Sequence, residues 1–318
     1  MEKTFMLLER PTKIIFGLGV ANKIGEELGL RKLKKALFVT DEGIYKSGVL
    51  ENLKKSLERE GIKYEIFSEV KPNSGDKIVN KGAQIAKDEN CGVVIGVGGG
   101  SSIDTAKAIS AMVTNPGSIL DYEGLNKVKK PPLPIVAVPT TAGTASETTL
   151  WAVITEEDKK RKMSVGSVLL MPIFSINDPL LTLTMPPHIT AATGMDALTH
   201  AIESYVNTAT QPISECLALE AIRLIGNNLR TAVAKGEVVE ARYNMLLASL
   251  MAGLAFHHTR LGNAHALAMP LGSGKWQIPH GVVNAILLPH VMKFNLVGNL
   301  NKFALLAKYL GVKVDSLS

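Results

Sequence analysis

The sequence predicts a chain in two parts: an α/β N-terminal domain on a parallel, doubly wound sheet, and an all-α C-terminal domain. Three observations carry that reading. Short apolar runs alternate with helix-period segments as far as Val138, the pattern of strands each followed by a covering helix. Several of these runs are apolar at every position, as strands covered on both faces require. From Leu183 onwards only helical periodicity remains, so strands give way to packed helices. The boundary falls within 178–187, which assigns 1–182 to the α/β domain and 183–318 to the helical one.

Taken in order, Lys13-Ile14-Ile15-Phe16-Gly17 reads as a strand and Gly19 to Leu28 as a helix. Ala36 to Asp41 is a strand that stays apolar until it ends in an acid, and Val49 to Arg59 is an amphipathic helix stopped near Gly61. Lys63 to Phe67 alternates as a strand, and Asp76 to Lys87 is helical. Val93 to Val97 is a buried strand, Ser102 to Val113 an Ala-rich helix, and Leu133 to Val138 another buried strand. In the second half the helical segments are Ile189 to Val206, Ile213 to Leu229, Glu237 to Phe256 and Val283 to Phe294. No internal repeat or low-complexity tract interrupts them.

Composition narrows the function classes. The chain has 318 residues, of which 46% are hydrophobic and 20% charged, enough for two domains with sizeable cores. The net charge of +6 comes from dispersed short clusters such as Lys34-Lys35 and Lys159-Lys160-Arg161-Lys162. No basic stripe interleaves with aromatics, so no nucleic-acid partner is expected; the clusters read as solvated surface. The two cysteines, Cys91 and Cys216, cannot build a disulfide framework, and Cys91 reads as a core thiol. Met1-Glu2-Lys3-Thr4 opens no apolar leader. No run reaches the length of a membrane span, so the expectation is a cytoplasmic protein with no membrane partner.

Chemistry concentrates at strand ends in the first half. Gly98-Gly99-Gly100-Ser101 follows a strand and opens a helix. Glycines there let backbone N–H groups approach an anion, and the helix dipole favours it. The spacing matches neither the Rossmann fingerprint nor a Walker loop, and a plain strand–helix turn is the competing reading. Asp104 and Lys107 lie in the first turns of that helix. Pro139-Thr140-Thr141-Ala142-Gly143-Thr144 leaves another strand, either as a polar turn or as hydroxyls for a nucleotide. Asp41 ends a third strand, where a carboxylate suits a ribose 2′-hydroxyl or a helix N-cap.

The second half offers Asp196 and His200, four apart and therefore stacked on one helical face. An oxygen and an imidazole presented this way suit a divalent metal, although an isolated pair of this kind is usually a surface or N-terminal-turn pair. His265 sits among small apolar residues and His280 beside Gly281 at a loop–helix junction; taken singly, each reads as a satisfied core histidine sooner than as a ligand. Of the others, His257 and His258 point apart on a helix, and His188 and His290 look structural.

Together these stretches resemble the iron-containing alcohol dehydrogenase family. The resemblance rests on Gly98 to Lys107, Pro139 to Thr144, Asp178-Pro179-Leu180-Leu181-Thr182, Gly194 to Glu203 and Pro279-His280-Gly281, in the family's order and over nearly the whole chain. It implies a dehydroquinate-synthase-like fold with the active site in the cleft between an α/β dinucleotide domain and a helical domain. It implies Asp196, His200, His265 and His280 as metal ligands, with Asp196 and His280 also assigned to catalysis. For the nucleotide it implies Gly99, Gly100 and Ser101 at the pyrophosphate. Asp104 and the second loop, Thr140, Thr141 and Thr144, join them, and Asp41, Asn73, Lys162, Leu181 and Thr182 line the cleft.

Two departures from the family pattern are visible. Many members carry a further histidine four residues after the third ligand, where this chain has Met269. Members also usually continue for some tens of residues beyond the point corresponding to Ser318, so the helical domain looks C-terminally shortened. The expected activity is reversible hydride transfer between a primary alcohol or diol and NAD, with NADP less favoured, using Fe²⁺ or alternatively Zn²⁺. A small alcohol or aldehyde is the expected substrate, in a homo-oligomer, most simply a dimer. The rival readings are a dehydroquinate-synthase-like lyase, a glycerol-type dehydrogenase and a non-catalytic nucleotide- or metal-binding protein.

Overall fold

The computed structural model describes residues 12–272, 276 and 278–312; Met1–Thr4 and Ser318, which the sequence reading touches, lie outside them. By its internal contacts the chain forms two compact units. Of the described residues, one unit is α/β and contains those from Thr12 to Thr140 together with Ser146–Thr184; the other takes Thr141–Ala145 and those from Met185 to Val312.

In the α/β unit the elements are β1 (Lys13–Phe16), α1 (Ile24–Leu30), β2 (Lys35–Asp41), α2 (Glu42–Lys46), α3 (Leu50–Arg59), β3 (Lys63–Val70) and α4 (Asp76–Asp88). They continue with β4 (Val93–Gly98), α5 (Gly100–Thr114), β5 (Gly124–Leu125), β6 (Ile135–Pro139), β7 (Trp151–Glu156), β8 (Arg161–Gly166) and β9 (Phe174–Asn177). Among the described residues six strands form one sheet in the order β1-β9-β6-β4-β2-β3, and every pairing between them is parallel. The continuous apolar runs have the cause the sequence suggests. Leu37 and Val39 of β2 face a core with α4 and α5, whereas Ala36 and Phe38 face a second core with α1 and α3. Alternation along each strand therefore sends apolar side chains to both faces.

Strands β7, β8 and β9 are left unassigned by the sequence reading. β9 is wholly buried and sits between β6 and β1. β7 and β8 form an antiparallel hairpin in a separate three-stranded sheet with β5. Of the Lys159–Lys162 cluster, Lys159 and Lys160 lie in the turn of that hairpin and Arg161 and Lys162 open β8; Arg161 is paired with Glu123 and Glu156. Helix α5 begins at Gly100, two residues before the expected start, because the amides of Ser102 and Ile103 both bond to the Gly99 carbonyl.

The second unit is helical among the described residues: α6 (Pro187–Val206), α7 (Pro212–Ala234), α8 (Val239–Thr259), α9 (Asn263–Leu271), α10 (His280–Asn295) and α11 (Leu300–Tyr309). The segment His280–Gly298 is long and apolar enough to cross a membrane by length and composition, which corrects the expectation that no run reaches that length. One side of it packs within the unit, where Val283, Leu288 and Val291 are buried and Asn284 is fully enclosed, while Ile286, Phe294 and Val297 are exposed. Its entry is tight. A Cβ on Gly281 would collide with the backbone carbonyl of Ala192 in α6, so α10 approaches α6 closely only because residue 281 has no side chain. Gly281→Ala is expected to cost ~1–3 kcal/mol through overpacking and to lower the thermal unfolding midpoint. Gly298→Ala, with nothing within 4 Å of the added carbon, should leave it unchanged; equal midpoints for the two variants would refute the packing account.

Candidate metal centre and nucleotide-binding edge

The helical unit gathers its titratable groups from three helices. Asp196, His200 and Glu203 recur at i, i+4 and i+7 on α6 and so share one face. His265 comes from the first turn of α9, and His280 opens α10. One ligand-type atom each from Asp196, His265 and His280 lies within 4.8 Å of the others. Asp196 Oδ1 is 3.6 Å from His265 Nε2 and 3.9 Å from His280 Nε2. His200 stands beside this trio, its ring stacked on His265 at 4.5 Å between centroids and on Phe256 at the same distance.

Hydrogen bonds orient the imidazoles. His200 Nδ1 bonds the Gly143 carbonyl at 3.2 Å, leaving Nε2 for other contacts. His265 Nδ1 bonds Glu203 Oε2 at 2.6 Å. Asn284, one turn after His280, donates from Nδ2 to Asp196 Oδ1 at 2.7 Å, and the same nitrogen lies 3.1 Å from His265 Nε2 and 3.2 Å from His280 Nε2. Three ligand-type atoms thus converge on one amide with two hydrogens. The buried Asn284 Oδ1 has no partner among the described residues.

Electrostatics point the same way. Burial alone would raise the Asp196 carboxyl, but His200, His265 and His280 around it hold it well below the usual carboxylate range. Burial pulls His200 down to about 4, so it is neutral at physiological pH. Burial opposes charge on His265 too, yet its bonds to Asp196 and Glu203 raise it to about 9. Two buried carboxylates therefore call for positive charge at one point. Imidazole nitrogens and a carboxylate oxygen facing that point are the donor set a borderline divalent ion takes, and such an ion fits.

The α/β unit brings most of the nucleotide candidates to the C-terminal edge of its sheet. Asp41, Gly98 and Pro139 end β2, β4 and β6, which are neighbours, and the Thr140 amide bonds the Gly98 carbonyl. The chain runs outward to β3 from β2 but the other way, to β6 and β9, from β4. The point where strand order reverses lies between Asp41 and Gly98, the crevice where α/β sheets bind ligands. Gly98 has φ +144°, and a Cβ there would strike Ser102. Asp41 Oδ1 accepts from the Ile44 amide, so the carboxylate caps α2 while standing next to Gly98. Gly99 caps α5 through its backbone, and Gly100 and Ser101 form its first turn.

Asn73 follows β3 with φ 58°, and the next residues dock on the hairpin: Thr155 N bonds Ser74 O and Thr155 bridges Gly75. Lys162 pairs with that same Thr155 across β7 and β8. Leu181 and Thr182 follow β9 and are buried, with the Thr182 hydroxyl donating to Pro179 O. Asp104 is turned inward, accepting from the Val153 amide beside Lys107. Thr141 and Thr144 belong to the segment grouped with the helical unit.

The sequence reading missed Glu203, Asn284 and the Gly143 carbonyl. Glu203 was signalled by its i+7 spacing from Asp196, and Asn284 by its i+4 spacing from His280. No residue type marks a carbonyl. Met269, one turn after His265, is half-buried. His188 and His290 are exposed rather than packed, and His257 is buried.

Known proteins align with both units. A family model described as iron-containing alcohol dehydrogenase matches residues 11–179, and one for the C-terminal part of that family matches 190–318. The chain is 45% identical over 310 residues to the 1,3-propanediol dehydrogenase of Citrobacter freundii, covering 97% of this chain and 80% of that protein. A crystal structure of 1,3-propanediol oxidoreductase superposes with a TM-score of 0.95 at 44% identity, covering 99% of this chain and 82% of that one. Sulfoacetaldehyde reductase from Bifidobacterium kashiwanohense, solved in complex with NAD⁺, superposes at 0.89 with 32% identity, over 98% and 87% of the two chains.

Protonation at His265 makes ion uptake pH-dependent. Its value is raised, so below about pH 9 an incoming ion must displace a proton; Asp196 is already ionised and His200 already neutral. Binding of Zn²⁺ near neutral pH should release protons, with affinity rising towards alkaline pH. Calorimetry in buffers of different ionisation enthalpy reads the proton count, and a count of zero would contradict the electrostatic picture.

Proposed function

Because the chain belongs to the family of iron-containing alcohol dehydrogenases, we propose that it interconverts a small primary alcohol or diol and its aldehyde with NAD, at a centre held by Asp196, His200, His265 and His280. The observation that carries this reading is the convergence of Asp196, His265 and His280 within 4.8 Å. A bound Fe²⁺ supplies a Lewis acid that lowers the pKa of an alcohol, and a nicotinamide supplies the hydride acceptor.

The protein's own residues set the conditions for that chemistry. Asp196 stays ionised and presents Oδ1. His200 stays neutral and is aimed by its bond to Gly143. His265 is aimed by Glu203, and Asn284 steadies Asp196. Phe256 stacked on His200 keeps one flank apolar, which strengthens charge interactions within. With Met269 in place of an imidazole, the alcohol's proton has no carrier at that position. A homodimer in the cytoplasm belongs to the same reading, in keeping with two cysteines that form no disulfide.

At the α/β edge we assign Gly99, Gly100 and Ser101 to the pyrophosphate, supported by the amides at the start of the fifteen-residue α5 and by its dipole. Thr140, Thr141, Thr144, Asn73, Asp104, Lys162, Leu181 and Thr182 are assigned to the rest of the nucleotide. Those with buried side chains, Asp104, Thr140, Leu181 and Thr182, act by shaping backbone. Asp41 is assigned to the ribose. Its oxygen not used for capping stands towards Gly98, where it favours a free 2′-hydroxyl and repels a 2′-phosphate. NADH formation at 340 nm with simple alcohols and diols should therefore exceed NADPH formation at equal ionic strength. Asp41→Gly should shift the kcat/KM ratio towards NADP. A parent protein already favouring NADP would remove Asp41 from the ribose site, and no turnover with any alcohol would remove the activity.

A further inference from the structure

Glu203 lies on the same face of α6 as Asp196 and His200, is 3% exposed, and receives three donors. Its Oε1 accepts from the Ala264 amide at 2.7 Å, and its Oε2 accepts from the Gly262 amide at 2.9 Å and from His265 Nδ1 at 2.6 Å. Helix α9 begins at Asn263 with no side-chain cap from Gly262. The cap comes instead from Glu203 on another helix, and a Cβ at 262 would stand only 2.8 Å from Oε1. Burial pushes this carboxyl up, but the bonds from His265 and the two amides outweigh it and keep it below its ordinary range.

We propose that Glu203 is the positioning residue of the metal centre: it fixes the proton of His265 on Nδ1, so that Nε2 faces Asp196 and His280, and thereby sets how tightly the ion is held. This rests on the metal-centre reading above and extends it to a residue that is not a ligand. A carboxylate can only accept, so the imidazole nitrogen against it must donate. The same carboxylate anchors the two amides just before His265, so backbone position and ring tautomer are fixed by one group. It also places a second negative charge beside the ion, which raises the basicity of the imidazole between them.

The test is Glu203→Gln. The glutamine amide has one acceptor oxygen; in either orientation its NH₂ opposes a donor, the Ala264 amide on one side or Gly262 and His265 on the other. Zn²⁺ affinity, measured by chelator competition, is expected to fall about 10–100-fold. In a His265→Ala background the same substitution should cost nothing more, because its effect passes through His265. Wild-type affinity in Glu203→Gln, or an equal loss in both backgrounds, would reduce Glu203 to a helix cap and overturn the proposal. Should the variant fail to fold, ¹⁵N–¹H spectra of Zn²⁺-loaded wild-type protein decide: a His265 proton on Nδ1 supports the assignment, and one on Nε2 overturns it. A wild-type protein that binds no Zn²⁺ would instead overturn the metal-centre reading, and this inference with it.

Discussion

The helical unit is organised around one buried negative charge, the carboxylate of Asp196. An ionised carboxylate is costly to enclose unless paired and hydrogen-bonded. Asp196 is 3% exposed, and three imidazoles and the Asn284 amide are arranged about it. The close entry of α10 at Gly281 places His280 and Asn284 against α6, and the Glu203 anchor places α9. These features make sense as means of bringing positive or donor groups to that one oxygen. The same arrangement leaves the cluster short of positive charge, visible as the upward shift of His265, and that shortage is what makes a divalent cation fit.

In the proposed function the α/β unit meets the opposite problem, delivering uncharged backbone donors to an anion. Its answer is topological. Parallel strands place all their C-terminal ends on one edge, and the reversal of strand order between β2 and β4 opens the sheet beside Asp41 and the glycine loop. Lys107 supports the neighbouring chain: its fully buried ammonium bonds the carbonyls of Ser146, Thr149 and Trp151. Burial draws it down to about 8 and pushes the enclosed Glu147 up to about 7.

Much of this was legible in the sequence, and the gaps have physical causes. The parallel sheet and the long helices followed from periodicity, because burial on one or both faces dictates which positions are apolar. Asp196 and His200 were legible as a pair because helical spacing makes them neighbours. His265 and His280 were not: their proximity is a tertiary fact, and only the resemblance of whole motifs joined them. β7 and β8 escaped notice because charged residues at their turn read as open surface. α9 escaped because nine residues containing Pro270 and apolar on most sides carry little helical period. Glu203 and Asn284 lay at helical spacing from assigned residues, but nothing local distinguishes a positioning group from an ordinary polar side chain.

The central claim is that the Asp196 cluster holds a metal ion. Anomalous X-ray diffraction from crystals of the protein grown anaerobically with Fe²⁺, recorded on both sides of the iron absorption edge, tests it most directly. The account predicts one strong anomalous peak bounded by Asp196 Oδ1 and the Nε2 atoms of His200, His265 and His280. Full iron occupancy elsewhere in the chain, or no peak within this cluster, would contradict it.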